Sequence, residues 1–257
     1  MEKIRLIKTV SDFAKDQLGL ESDFEPWNIF DVKEKYYLYA SEKNFIQVPE
    51  NFGWNSQGVK YPFEYFGTDF EKAKKRESVF KRNFSTLLFS AKATSEGLSK
   101  DMLKYSLEKI GCIVIHESVH NYIREKNKIL NYDIEEAFSN LVSFLGSIEF
   151  SKKFGILNTD TLYRYEQETE TFSKTIIEGI NCFQEIKEKE KYFKLFRKKL
   201  KKVILTDFYG HILNYNINSA FFVRYKGYFQ QYPELKEMNK NCELPRAKAH
   251  SVFEAKN

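Results

Sequence analysis

The chain has few of the residues that interrupt regular structure: 11 glycines and 5 prolines among 257 residues. We therefore expect long elements rather than the many short strands of a β-sandwich. Apolar residues make up 42% and charged residues 30%, a balance that excludes a mainly disordered chain. The aromatic share of 16%, mostly Phe and Tyr, predicts a core built largely from rings.

Cysteine is also scarce. Cys112, Cys182 and Cys242 are far apart and odd in number, so they form neither a CxxC metal knuckle nor a disulfide framework. This usage is typical of a reducing compartment. We expect each to be a small buried apolar residue rather than a metal ligand.

Long apolar runs and an excess of one charge are missing too. No window of about 18 apolar residues predicts a membrane span, and residues 1–20 lack the apolar stretch of a secretory signal. We expect a cytoplasmic protein, although a chain trimmed of a leader would look the same. The net charge of +5 comes from interspersed charges of both signs, so nucleic acid is not an expected partner.

The hydrophobic patterning predicts an α+β fold. We expect one domain over residues 1–257, with a small β-rich part (1–90), whose antiparallel sheet packs beside the metal-binding helix proposed below, and a larger helical part (100–240). Strands are predicted at 35–48, 59–67 and 77–90. Helices are predicted at 4–20, 69–76, 100–127, 133–149 with Asp133 as N-cap, 158–205 as one or two helices, and 207–240.

The informative motif is His116-Glu117-Ser118-Val119-His120. Residues four apart lie on one face of a helix, so both imidazoles can reach one metal ion. Zinc prefers such ligands, and a hydrolytic site needs three protein ligands plus an open position for water. Glu117 is then placed to take the proton of that water. With only four histidines in the chain, a chance HExxH is improbable.

A third ligand is available on the next predicted helix. Glu136 follows His120 after a gap that allows one helix to end and a second to return antiparallel. It shares the apolar side of that helix with Phe138 and Leu141, whereas Glu135, the competing choice, is expected to point toward solvent. Asn140, one turn after Glu136, can hydrogen-bond the free nitrogen of a ligating histidine.

HExxH on one helix with a Glu on the next resembles the gluzincin metallopeptidases, the thermolysin-like clan. The resemblance implies a zincin-like fold, with zinc bound by His116, His120 and Glu136, and Glu117 as general base. The clan often has an acidic residue where this chain has Asn140.

The chain is also similar to the bacterial "predicted aminopeptidase" family of gluzincins. The shared pieces, in the same order around HExxH, are Phe13-Ala14 with Leu18-Gly19-Leu20, Gly58 to Tyr65-Phe66, Ser85-Thr86-Leu87, and Asn218-Ser219-Ala220 with Tyr228. Departures are Ser219 in place of a second Asn, Glu135 in place of the usual Asn, and no lipoprotein signal. The resemblance implies an aminopeptidase acting on peptide or protein substrates.

Such an enzyme needs a donor for the tetrahedral oxyanion. Tyr228 is the first candidate by resemblance, and His211 and His250 are alternatives. Arg224 could bind a substrate carboxylate, although a surface arginine is the preferred interpretation. Glu135, Glu166, Glu168 and Glu170 could hold a substrate ammonium, and the strand at 77–89 could pair with an extended substrate.

Two interpretations of other classes stay open. The chain could be a catalytically silent zinc-binding scaffold that holds a partner through its helical body. It could instead bind RNA or a membrane through the basic, amphipathic run from Lys187 to Lys202. For that run we prefer a core-facing stripe backed by a solvated face.

Overall fold

A computed structural model of the chain describes residues 2–21, 33–54, 60–94, 97–126 and 130–240. The protein is mostly helical, with a small three-stranded antiparallel sheet, which confirms the α+β class. The helices are α1 (Glu2–Leu18), α2 (Phe70–Phe80), α3 (Leu107–Glu125), α4 (Tyr132–Phe154), α5 (Thr159–Glu185), α6 (Lys189–Val203), α7 (Ser219–Phe229) and α8 (Tyr232–Lys240). The strands are β1 (Lys35–Ser41), β2 (Phe63–Tyr65), β3 (Ser85–Ala91), β4 (Ala93–Thr94) and β5 (Gly97–Leu98).

The chain divides into two compact units. The first comprises residues 1–33, 92–167 and 231–257, and so holds α1, α3, α4, α8 and the β4–β5 pair. The second comprises residues 34–91 and 168–230, and holds the three-stranded sheet with α2, α6 and α7. Helix α5 contributes its first residues to the first unit and the rest to the second.

In the first unit, α3 and α4 form the most extensive helix pair. Ser106 caps α3 by accepting a hydrogen bond from the Lys109 N–H, and Asn131 caps α4 by accepting one from the Asp133 N–H. The predicted N-cap, Asp133, is therefore wrong by two residues. The Asn131 side chain caps the helix, and Asp133 lies in the first turn. Its negative charge there interacts favourably with the helix dipole.

Helices α3 and α4 are antiparallel, as the spacing predicted. Gly111 lies near Ser147 at one end of the pair, Ile115 faces Gly146 in the middle, and His120 meets Glu135 at the other end. A Cβ at Gly146 would come 3.1 Å from the Ile115 side chain, so the missing side chain lets the helices approach closely.

In the second unit, the sheet has the order β2-β1-β3, with both pairs antiparallel. Tyr39 in the central strand lies opposite Phe63 on one side and Leu87 on the other. Within the described residues β3 pairs with β1 alone, so it is an edge strand. Residues 77–84, predicted as part of this strand, instead complete α2 and a turn, because α2, capped by Asp69, runs on to Phe80.

The core of the second unit is built from rings, as the composition predicted. Phe172 on α5 packs against Tyr209 and Phe229, with ring centroids 5.0 and 4.9 Å apart. From α6, Phe196 and Leu200 enter this core, which confirms the preferred interpretation of the basic run, although Leu195 lies exposed.

The cysteines divide between buried and exposed positions. Cys112 is buried in α3 as predicted, whereas Cys182 is exposed on α5, so the expectation was wrong there. Cys242 lies outside the described residues. Among the described helices, none combines the length and the hydropathy of a transmembrane span.

Candidate metal centre

The two motif histidines project from one face of α3, near the end of the helix. Their rings lie 4.7 Å apart, and the two Nε2 atoms face each other at 3.0 Å. The surrounding helix is apolar, with Val114, Ile115 and Val119 essentially inaccessible to solvent. This places two polar rings at the edge of a buried surface, where they need partners.

Glu136 supplies a third donor atom from α4. Its Oε2 lies 3.5 Å from Nε2 of His116 and 3.7 Å from Nε2 of His120. A tetrahedral zinc with bonds of about 2.0–2.1 Å holds its ligand atoms about 3.3 Å apart. The three observed separations bracket that value, so the donor set fits one small divalent ion.

The hydrogen bonding of the Glu136 carboxylate also favours a bound cation. Oε2 is buried, yet it makes no hydrogen bond with any residue that the structure describes. A buried carboxylate oxygen without a hydrogen bond is costly, and the two imidazoles beside it lie too far away to make one. A cation between Oε2 and the two imidazoles would remove that cost.

A second carboxylate holds the far side of His120. Oε1 of Glu135 lies 2.6 Å from Nδ1 of His120, so the ring donates its Nδ1–H there and directs Nε2 toward Glu136 and His116. Glu135 is therefore not turned toward solvent as expected, since only 27% of its side chain is exposed. The signal was present in the Glu135-Glu136 pair, since adjacent carboxylates at a helix start can reach one neighbour from two sides.

The electrostatics of the pair are set by burial and by mutual charge. Burial tends to lower the pKa of His120, but the charge of Glu136 and the hydrogen bond to Glu135 raise it well above the usual value. Burial tends to raise the pKa of Glu136, but the charge of His120 and the nearness of both imidazoles lower it strongly. Without metal, this arrangement favours an ion pair.

Glu117 lies on the same helix and is 8% exposed. Burial raises its pKa above the ordinary value, partly offset by the charges of His116 and His120, while Glu136 raises it further. Glu117 is thus within electrostatic reach of all three donors. A bound dication would stabilise its charged form.

The other residues predicted for the site include Asn140, Tyr228 and two further histidines. Asn140 is buried in α4, but the His120 nitrogen available to it is taken by Glu135, so its orienting role stays a prediction for His116. Tyr228 is half-buried on α7 in the second unit, with its ring 5.0 Å from the Arg224 guanidinium. His211 is exposed on a short 3-10 helix (Gly210–Asn214). His250 and Gly58 lie outside the described residues.

Arg224 is not the surface residue that was expected. It is 5% exposed, donates a hydrogen bond to the Tyr39 hydroxyl at 2.8 Å and lies 3.4 Å from the centre of the Phe89 ring. The guanidinium is buried because aromatic faces attract its charge and cover its apolar stem.

The acidic residues considered for a substrate ammonium already have partners in the fold. Glu166 pairs with Lys236, and Glu170 pairs with Lys174 at 2.7 Å. Glu168 accepts hydrogen bonds from the backbone N–H groups of Leu205 and Thr206. Their contacts are those of structural residues.

Comparison with known proteins finds no match: no protein-family model, no characterised protein and no solved structure matches the chain. The resemblance to gluzincins therefore rests on the motif residues alone.

Proposed function

We propose that the protein is a zinc-dependent metallopeptidase of the gluzincin type, with a zincin-like fold. One observation supports this above all: Nε2 of His116, Nε2 of His120 and Oε2 of Glu136 lie 3.0–3.7 Å from one another. Two imidazoles and one carboxylate match the catalytic zinc sites that keep a fourth position open for water. Zinc bound there would acidify water and polarise a carbonyl.

The chain's own residues would carry the proton transfers. The carboxylate of Glu117 takes a proton from the attacking water and delivers it to the leaving amine. Its burial beside the histidines keeps bulk water from competing for that proton. Glu135 keeps His120 in the tautomer whose Nε2 lone pair faces the ligand position.

The substrate assignment rests on resemblance. An aminopeptidase action on peptides or proteins is proposed from the similarity to the bacterial "predicted aminopeptidase" family, and Tyr228 as oxyanion donor comes from the same source. The Tyr228→Phe variant should keep its metal and lose turnover.

Metal content of the purified chain, measured by plasma mass spectrometry, tests the site. About one zinc per chain in the wild type, lost in His116→Ala and in Glu136→Ala, supports the three-ligand centre. His211→Ala, a change at an exposed histidine outside the cluster, should retain the metal. A chain that holds no metal even after zinc is supplied overturns the proposal.

A peptide-library assay then tests the reaction. The wild type should cleave peptides, and Glu117→Gln should keep the zinc while losing hydrolysis. If Glu117→Gln, in preparations free of contaminating peptidase, turns over peptides as fast as the wild type, the mechanism is wrong. A wild type that binds zinc and cleaves nothing would favour the silent scaffold instead.

A further inference from the structure

The second unit contains a cleft of about 1000 Å³ that the proposed metal chemistry does not use. Four parts of the chain line it: the segment after β1, the region from the end of α2 to the start of β3, the beginning of α6, and the segment before α7. Because separate segments converge on it, the cleft is a concave depression, open to solvent on one side. Its volume is at the upper end of the range for small-molecule sites.

The cleft is strongly basic. Seven cationic side chains line it against two carboxylates, Glu188 and Glu190, for a net charge of +5. The whole 257-residue chain has the same net charge, so the rest of the protein is neutral on balance. Low-dielectric walls focus such a potential and raise the local concentration of anions.

Most of these charges have no carboxylate partner in the part of the chain that the structure describes. Lys81 pairs with Glu77 and Lys191 with Glu188, both at 3.3 Å. The other five form no ion pair with a carboxylate among the described residues: Lys43, Lys187, Lys189, Lys194 and Arg197. Three of these five donate to backbone carbonyls instead, namely Lys43, Lys189 and Arg197, and the ammonium of Lys189 also lies 4.0 Å from the centre of the Phe183 ring. These contacts carry no negative charge, and Lys187 and Lys194 are exposed to solvent.

The donor types suit an anion with several charges, such as a chain of phosphates. Six of the seven cations are lysines, which act as point charges toward phosphate oxygens. The single arginine already donates from both terminal nitrogens to the carbonyls of Leu213 and Tyr215, so part of its donor capacity is used within the fold. The first turn of α6 also lines the cleft, and a helix start favours anions.

Two rings complete the lining. Phe84 and Phe193 are partly buried and line the cleft, so part of each ring is accessible from it. Phe193 is held in place by stacking on Phe183, with ring centroids 5.4 Å apart. Partly accessible rings beside lysines suit a ligand that carries a planar base as well as phosphates.

We infer that this cleft binds a nucleoside polyphosphate. The exposed Lys187 and Lys194 hold the phosphates, the other cations add to the positive potential, and Phe84 and Phe193 contact the base. The inference is independent of the metal centre, since none of the lining residues belongs to the His116, His120 and Glu136 cluster.

Titration calorimetry with ATP, on the full chain at about 0.15 M salt, tests the inference. Lys187→Glu with Lys194→Glu reverses two exposed lysines in the cleft, and should weaken ATP binding by about tenfold or more. Lys201→Glu with Lys202→Glu makes the same charge change on exposed residues of α6 outside the lining, and should stay within about twofold of the wild type. Circular dichroism checks that both variants are folded.

Phe193→Leu tests the base contact. It should weaken ATP binding and leave inorganic tripolyphosphate unaffected, because only ATP has a ring to stack. Equal losses in the two charge-reversal variants, or tripolyphosphate binding as tightly as ATP, would overturn the inference. So would a wild type that binds no ATP at millimolar concentration, or that prefers hexaglutamate, phosphatidylserine vesicles or a single-stranded oligonucleotide. A zinc-free His116→Ala chain should bind ATP like the wild type, so this test and that of the metal centre can fail separately.

Discussion

Nδ1 of His120 and Oε1 of Glu135 lie 2.6 Å apart, on the opposite side of the imidazole from Glu136. The two neighbouring glutamates thus contact the same imidazole ring, each at a different nitrogen. Glu136 faces Nε2 with the donor set, and Glu135 fixes the ring by its other nitrogen. Such outer partners set the orientation and basicity of a metal-binding histidine.

We expect Glu135→Ala to weaken zinc binding by about 10–100-fold, because His120 loses the group that holds its ring. Glu135→Gln should fall between this variant and the wild type, since an amide oxygen still accepts the hydrogen bond but carries no charge. Competition with a chelating indicator measures the affinities. Glu149→Ala, on the exposed face of the same helix, is the control. If the zinc affinity of Glu135→Ala stays within about twofold of the wild-type value, the hydrogen bond from His120 to Glu135 does not organise the site.

Zinc should stabilise the folded chain. At a free zinc concentration about a hundred times Kd, a ligand specific for the native state adds about 2.7 kcal/mol. For a chain of this size that corresponds to a rise in Tm of about 5–10 °C. Differential scanning calorimetry with and without zinc measures the shift. His116→Ala should show none, whereas His211→Ala should respond as the wild type does; identical shifts in all three would place the zinc elsewhere.

Gly179→Ala should destabilise the protein, although alanine favours a helix by about 1 kcal/mol over glycine. A Cβ at this position of α5 would meet the ring of Phe196 and come 2.9 Å from the ring of Phe222. Tightly packed rings cannot easily move aside, so we expect the free energy of unfolding, measured by urea denaturation, to fall by about 1–3 kcal/mol. Gly210→Ala, where a Cβ would meet nothing within 4 Å, should be close to neutral. A stabilised Gly179→Ala chain would contradict the described α5–α6 packing.

The thiols should differ sharply in reactivity. Burial raises the pKa of Cys112 to about 12, so almost none of it is thiolate at neutral or mildly alkaline pH. Cys182 is exposed. Iodoacetamide on the native chain should therefore modify Cys182 and spare Cys112 until urea is added, as read by peptide mass spectrometry. Equal labelling rates at the two positions in the native chain would mean that α3 is not buried as described.

The sequence by itself determined much of the local structure. The i, i+4 spacing of His116 and His120 and the apolar residues around them encode one helix face, and the gap to Glu136 encodes an antiparallel return. The choice of Glu136 over Glu135 as the inward carboxylate followed from the helical phase of Phe138 and Leu141. These features depend on short-range periodicity, which a single sequence carries.

Only the tertiary structure decided the rest. It turned Glu135 back onto His120, buried Arg224 among rings, and assembled the basic cleft from four separated segments. Each outcome depends on which distant side chains share a neighbourhood, and neighbours far apart in sequence leave no periodic signal. The exposed Cys182 shows the same limit, because residue type predicts burial on average whereas the packing of α5 fixes it at one position.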